Sequence, residues 1–162
     1  MRKNPHPGFY LPIDTAVATL VIACVIMALT MSITRARKLV ETSVAAAEIM
    51  ITYRTPVSVQ FALRGEWPKN LDDVRQEFPV NGNWPMSSRL KDLRLEDGAL
   101  TVTLRRPLAG ERLTLHPAVP SDDPLGPVRW VAGPSGRRSG WTVVGDDHTT
   151  VKDPFIPVLL KR

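Results

Sequence analysis

Two acidic runs hold the residue types best suited to chemistry in this chain. Asp122 and Asp123 are adjacent, and Asp146, Asp147 and His148 follow one another further along. Carboxylates beside an imidazole can hold a cation or transfer a proton. Both runs lie in sequence rich in proline or glycine, however, where aspartates commonly bond the local backbone of a turn. We therefore interpret them as turn residues and predict no catalytic, metal or cofactor site.

Other patterns of enzyme chemistry are missing from the sequence. It contains no G-x-S-x-G nucleophile motif, no H-E-x-x-H zinc motif and no glycine-rich phosphate loop. His6, His116 and His148 are scattered, and we interpret them as surface or loop residues. Cys24 is the only cysteine, and its place in an apolar run indicates a small packing residue. The chain is predicted not to be an enzyme.

Paired basic residues raise the question of nucleic-acid binding. Arg105-Arg106, Arg137-Arg138 and Lys161-Arg162 would attract DNA only if they converged on one surface. The formal net charge of +5 is spread thinly along the chain, so an ordinary solvated surface is the simpler interpretation. DNA stays a partner that the sequence allows but does not favour.

An uncharged run from Thr15 to Ile33 is the most informative segment. As a helix rising 1.5 Å per residue it is roughly 28 Å long, close to the thickness of the hydrocarbon core of a bilayer. It contains no proline or glycine. The run therefore predicts one membrane-spanning helix.

A short basic leader, MRKNPHPG, precedes this run and ends in Gly8, directly before Phe9. A secretory signal peptide would carry its small-residue cleavage site after the apolar run, where Met31-Ser32-Ile33 is a poor match. The order of basic leader, glycine, phenylalanine and apolar helix resembles the prepilin signature of type IV pilins and of type II secretion pseudopilins. The alternative from the residues alone is an uncleaved signal anchor.

The resemblance implies processing and a mode of assembly. In the family a prepilin peptidase cuts after the glycine, here Gly8, and methylates the new N-terminal phenylalanine, here Phe9. The family has a glutamate at the fifth mature residue, but this sequence has Ile13 there and its carboxylate one residue later, at Asp14. By the resemblance, Asp14 would pair with the N-terminal ammonium of a neighbouring subunit. The alternative is that Asp14 caps the helix at the membrane edge.

The resemblance also divides the chain and places it in the cell. Residues 1–8 would be the leader, 9–33 the transmembrane and polymerisation helix, 34–63 its amphipathic half, and 64–162 the globular head. The protein would lie in the inner membrane before assembly and then in an extracellular pilus, with the head periplasmic or extracellular. Basic residues flank the apolar run on both sides, so charge alone does not orient it.

The helix is predicted to continue beyond the run and to pack one face on a sheet. The expected apolar face comprises Val40, Val44, Ala47 and Ile51, flanked by Leu39 and Met50; the opposite face comprises Lys38, Glu41, Ala45, Glu48 and Thr52. Pro56 should kink or end the helix because it has no N–H for the ladder, and Gly65 should stop any further turn.

The rest of the chain predicts a small antiparallel sheet, so that the fold class is α+β. Asp97-Gly98, between two alternating segments, predicts a hairpin. Asn70 should cap a short helix from Leu71 to about Phe78. Strands are expected at 93–96, 99–104, 113–115, 128–131 and 141–144, with prolines 107, 117, 120, 124 and 127 separating the pieces.

Four segments of the head also resemble type IV pilins. The stretch Gly65-Glu66-Trp67-Pro68 resembles the loop after their first helix, and Trp67 and Trp84 are expected to anchor loops by packing. Residues 113–117 and 128–133 resemble two of the pilin strands, and residues 155–162 resemble the pilin C terminus.

The cysteines that staple the pilin tail fall here at Ala132 and Leu160, so both are absent together. An apolar contact is expected in their place, with Leu160 or one of its neighbours Phe155, Ile156 and Val158 docking near Trp130.

Together these resemblances imply a structural subunit of a type IV pilus, serving motility, adhesion or DNA uptake. Its partners would be other pilin subunits, the prepilin peptidase and the inner membrane. A minor pilin or a type II secretion pseudopilin is the nearest alternative, and the missing glutamate favours a minor pilin. A DNA-uptake receptor and a signal-anchored envelope protein remain as more distant alternatives.

Overall fold

A computed structural model describes residues 13–78, 89–106, 108–133 and 139–161, apart from the side chains at positions 13, 14 and 159. The chain divides into two compact units, Met1–Ala36 and Arg37–Arg162. The first unit contributes the apolar part of the N-terminal helix, and the second contains the sheet and its core. Trp84 and the pair Arg137-Arg138 lie outside the described residues, so the expectations about them stay predictions.

The N-terminal helix, α1, spans Ile13–Arg64 with Pro56 inside it. The helix therefore does not end at Pro56. It stops where Gly65 was expected to stop it: Gly65 has a φ of +72°, and its N–H donates to the Phe61 carbonyl at 2.7 Å. Glycine adopts this left-handed conformation without a steric penalty.

A short second helix, α2, spans Leu71–Glu77 and begins at the predicted cap. The Asp73 N–H donates to Asn70 Oδ1 at 2.9 Å, and the Asn70 N–H donates back to Asp73 Oδ2 at 3.3 Å. This reciprocal pair satisfies two of the N–H groups that a helix start leaves without a partner.

Among the described residues, five strands form one antiparallel sheet in the order β1-β2-β3-β4, with β5 also paired to β3. The strands are β1 Leu90–Glu96, β2 Ala99–Leu104, β3 Arg112–Pro120, β4 Arg129–Ala132 and β5 Trp141–Val143. Asp97 and Gly98 both have positive φ, as a two-residue hairpin turn requires. Two short 3₁₀ turns, Asp153–Phe155 and Val158–Leu160, form the tail. The α+β class, with a long helix packed on a small antiparallel sheet, is confirmed.

The third strand is longer than predicted because Pro117 lies inside it instead of ending it. Pro117 pairs with Trp130, and its carbonyl accepts a hydrogen bond from the Val144 N–H at 3.0 Å. Proline lacks only the donor of the ladder, so its carbonyl still takes part in pairing.

The core forms where the inward residues of the strands meet the second half of α1. The sheet contributes alternate residues such as Leu93, Leu95, Leu100, Val102, Leu113 and Leu115. The helix contributes Ala45, Ala46, Ile49, Tyr53 and Val57, each at most 2% exposed.

The predicted packing face of α1 is therefore wrong. Ile51 is 81% exposed and Val40 is 58% exposed, whereas Ala45, assigned to the polar face, is fully buried. Apolar and small residues surround this part of the helix, so helical spacing alone does not select the face that packs. The side of α1 that was expected in the core is open to a partner.

Candidate assembly surface

The residues expected to direct processing have no described geometry. Gly8 and Phe9 lie outside the described residues. Asp14 lies in the first turn of α1, but its side chain is not among the parts that the structure describes. Cleavage after Gly8, methylation of Phe9 and the ion pair of Asp14 stay predictions.

The surface of α1 between Val17 and Ile33 is exposed and apolar. Its large side chains are each 52–66% exposed, and α1 is long and apolar enough to cross a membrane. Its threonines bond within the helix: Thr19 Oγ1 donates to the Thr15 carbonyl at 2.7 Å, and Thr30 Oγ1 donates to the Met27 carbonyl at 2.9 Å. Polar groups satisfied in this way suit lipid or the interior of a helix bundle, where no water is present.

A groove runs beside the second half of α1, and we call it the α1 groove. Its volume is about 710 Å³. It is lined by Leu39, Ser43, Ala46, Ala47, Met50 and Arg54 of the helix, Val128, Arg129 and Trp130 at β4, and Pro157, Val158 and Leu160 of the tail. Small residues from the helix and apolar residues from β4 and the tail make a surface that fits an apolar partner.

The groove continues toward the C-terminal end of α1. A second concavity of about 590 Å³ shares Met50, Arg54 and Val128 with the first and extends as far as Ala62. From Leu39 to Ala62 the open side of the helix is roughly 35 Å long at 1.5 Å per residue. The exposed residues Leu39 and Ile51 lie along that side.

Two arginines provide positive charge at this surface. Arg54 lies on the exposed side of α1, and the Arg129 guanidinium lies 4.7 Å from the ring centre of Trp141. Within the described residues neither arginine forms an ion pair.

The loop at residues 65–70, between α1 and α2, contacts both the end of α1 and the hairpin. The Trp67 ring stacks on Phe61, with centroids 3.8 Å apart and planes 4° from parallel. The Gly98 N–H donates to the Pro68 carbonyl at 2.8 Å, and a Cβ on Gly98 would come within 3.0 Å of the Trp67 ring. A larger residue at position 98 would therefore disturb both the turn and the loop.

The tail packs on the core beside Trp130. Ile156 is 1% exposed, Leu160 is 8% exposed and Trp130 is 5% exposed, whereas Val158 is 61% exposed. The Trp130 Nε1–H donates to Ser58 Oγ of α1 at 3.4 Å. Trp130 therefore contacts the helix, and it shares the buried core with Ile156 and Leu160 of the tail.

The acidic runs do not form a metal site in the described part of the chain, where no group of three or more possible ligands comes together. Asp147 behaves as a turn residue, because its Oδ1 accepts from the Thr149 N–H at 2.9 Å. Arg105 Nε donates to the Leu90 carbonyl at 3.0 Å. Lys161 is paired with Asp153.

His116 differs from its prediction, because it is a buried residue of β3 and not a surface or loop residue. Its Nδ1 lies 3.0 Å from the Val144 carbonyl oxygen, and its Nε2 lies 3.5 Å from Asp147 Oδ1. Alternation along β3 could have indicated that His116 shares the face of Thr114. It could not have indicated that the segment after β5 covers that face.

No family model matches the chain, and no curated protein matches its sequence.

Proposed function

We propose that this protein is a structural subunit of a type IV pilus that polymerises with other subunits through α1. The observation that carries the proposal is the exposed apolar surface of α1. Residues 17–33 offer an apolar helix whose described threonines bond internally, and the α1 groove leaves a further apolar surface open. The prepilin-like leader before this helix supports the same proposal.

Such a helix would be stable in two environments. In a bilayer its apolar side chains face lipid, and in a filament they pack against like helices. Lipid is as apolar as leucine, so burial alone gives no net drive for leaving the membrane. The free energy for moving the helix from the membrane into a filament must come from close packing and from the pairing of polar groups. A carboxylate at Asp14 is costly near lipid and would gain from an ammonium on a neighbouring subunit.

A signal-anchored envelope protein is the alternative that the structure helps to weigh. An anchor needs only the segment that crosses the membrane. A membrane anchor does not account for the exposed Val40 and Ile51 or for the α1 groove. They lie in the second unit and leave apolar surface in water. This exposed surface favours an assembling subunit, either a pilin or the closely related pseudopilin.

The experiment that tests this proposal is the mass of the protein purified from membranes of cells with an active prepilin peptidase. We expect the mature chain to begin at Phe9 and to carry one N-terminal methyl group. Gly8→Val is the matched variant: a bulky side chain before the cut should block cleavage while leaving the apolar helix and its insertion intact.

Retention of Met1 in the unsubstituted protein, under conditions where a control pilin is cleaved, would overturn the assignment. The alternative of an uncleaved signal anchor would then stand.

A further inference from the structure

The loop between β3 and β4 presents a leucine to solvent. Leu125 is 73% exposed, and both its neighbours Pro124 and Gly126 limit the shapes that the loop can take. We refer to residues 121–127 as the Leu125 loop. Its two aspartates, Asp122 and Asp123, are exposed.

Backbone hydrogen bonds within the loop and to residues beside it fix its shape. The Asp123 N–H donates to the Pro120 carbonyl at 3.2 Å, and the Gly126 N–H donates to the Asp123 carbonyl at 2.9 Å. The Ser121 N–H donates to the Gly140 carbonyl at 3.0 Å. A leucine held on a fixed loop loses little conformational freedom when a partner covers it.

The loop and the α1 groove have complementary chemistry. The loop offers one apolar side chain flanked by two carboxylates. The groove offers an apolar floor, and the basic residues Arg54 and Arg129 are among those that line it. Among the described residues neither these aspartates nor these arginines form ion pairs. The Arg129 guanidinium lies over the Trp141 ring, a contact that leaves its charge without a carboxylate partner there.

We propose that the Leu125 loop of one subunit docks in the α1 groove of a second copy of this chain, with Asp122 and Asp123 facing Arg54 and Arg129. This inference rests on the proposed function and names a contact between heads within the same assembly. An exposed apolar residue that fits a pocket elsewhere on an identical molecule makes a heterologous contact, which extends into open filaments. Opposite charges across the contact set its orientation and exclude other partners.

A disulfide cross-link tests this geometry in the full-length protein. With Cys24 replaced by serine, Leu125→Cys is combined with Ala47→Cys on the exposed floor of the groove. Filaments, and detergent-extracted full chain at high concentration, are then oxidised. We expect a ladder of dimers and larger species on a non-reducing gel. Leu125→Cys alone and Leu125→Cys with Lys91→Cys, whose side chain is exposed on β1, are the controls.

A charge exchange tests the ion pairs separately. Asp122→Arg should lower the cross-linking yield about tenfold, because it sets like charges against each other. Adding Arg54→Asp to the same chain should restore the yield. Rescue by a second charge reversal is not expected if Asp122→Arg acts by damaging the fold.

The outcomes separate this inference from the proposed function. Cleavage after Gly8 and filament formation without a 47–125 ladder would overturn the docking of the loop alone. A disulfide-linked dimer of Leu125→Cys by itself, which has one thiol per chain and can form nothing larger, would mean that loops meet loops, and would also overturn it. An equal cross-linking yield from Asp122→Arg and from Asp122→Arg with Arg54→Asp would contradict the proposed ion pairs.

Discussion

Tyr53 lies in the core with 2% of its surface exposed, and burial raises the pKa of its phenol above the ordinary value of 10.0. The charge of Glu48 raises this pKa further, whereas Arg75 lowers it. The folded protein thus holds the phenol proton more tightly than the unfolded chain does. The stabilisation from the neutral phenol is fully present below the unfolded pKa and is lost as pH rises through the higher folded pKa.

We therefore predict that the free energy of unfolding falls as pH rises above about 10, and that Tyr53→Phe makes this fall shallower. Denaturant unfolding of the full chain in detergent, followed by tryptophan fluorescence from pH 8 to 11, measures the slope. The two proteins are compared by the slope of the free energy of unfolding against pH and not by its absolute value. A hydrogen bond lost with the hydroxyl would change the absolute value at every pH, so it does not affect this comparison. Equal slopes for the two proteins would contradict a role for Tyr53.

At the scale of the element, α1 shows how far sequence reasoning reaches. Three features could be predicted: the helix over the apolar run, its stop at Gly65 and the hairpin at Asp97-Gly98. Each depends on local backbone preferences. The packing face of α1 could not. Thr42 is fully buried, and its hydroxyl donates to the Lys38 carbonyl at 2.8 Å, whereas the apolar Val40 stays exposed. A threonine that bonds its own helix can pack like a small apolar residue.

The candidate assembly surface could not be predicted from the sequence either. Its residues come from α1, β4 and the tail, and only the tertiary structure places Met50, Val128 and Pro157 around one groove. Exposure of Leu125 likewise depends on how the loop is held. The sequence pattern predicts an apolar residue near a turn, but it does not say whether another element covers that residue.

Ile49 and Ile51 provide a matched test of the packing face, because they lie two positions apart on α1. Ile49 is fully buried, and Ile49→Ala should lower the free energy of unfolding by about 2–5 kcal/mol through lost burial and a cavity. Ile51 is 81% exposed, and Ile51→Ala should change it by no more than about 0.5 kcal/mol. Urea unfolding of both variants in detergent measures the difference. A larger loss from Ile51→Ala would restore the face first predicted from the sequence.

At the scale of the whole molecule, the two units differ in where their apolar side chains lie: one buries them in a core and the other exposes them. The buried core residues of the described chain all lie at or beyond Thr42, within the unit Arg37–Arg162. The unit Met1–Ala36 has no core of its own among its described residues, and between Val17 and Ile33 it exposes large apolar side chains. Its apolar surface must be covered by lipid, detergent or other subunits, and its removal takes no described core residue from the unit Arg37–Arg162.

This division predicts that a chain beginning at Arg37 folds without the first unit. The described core between α1 and the sheet contains no residue of the first unit, so the loss of residues 1–36 removes apolar surface that would contact water and opens no cavity in that core. We expect this fragment to be soluble without detergent and to unfold cooperatively, with a midpoint close to that of the full chain in detergent. Near-ultraviolet circular dichroism of its tryptophans should show fixed packing, since Trp130 is buried and Trp67 is stacked on Phe61. Arg37–Arg162 carrying Ile49→Ala is the control for a weakened core. A fragment that keeps its helical signal but loses the tryptophan signal would show that the first unit is needed for the packing of the head.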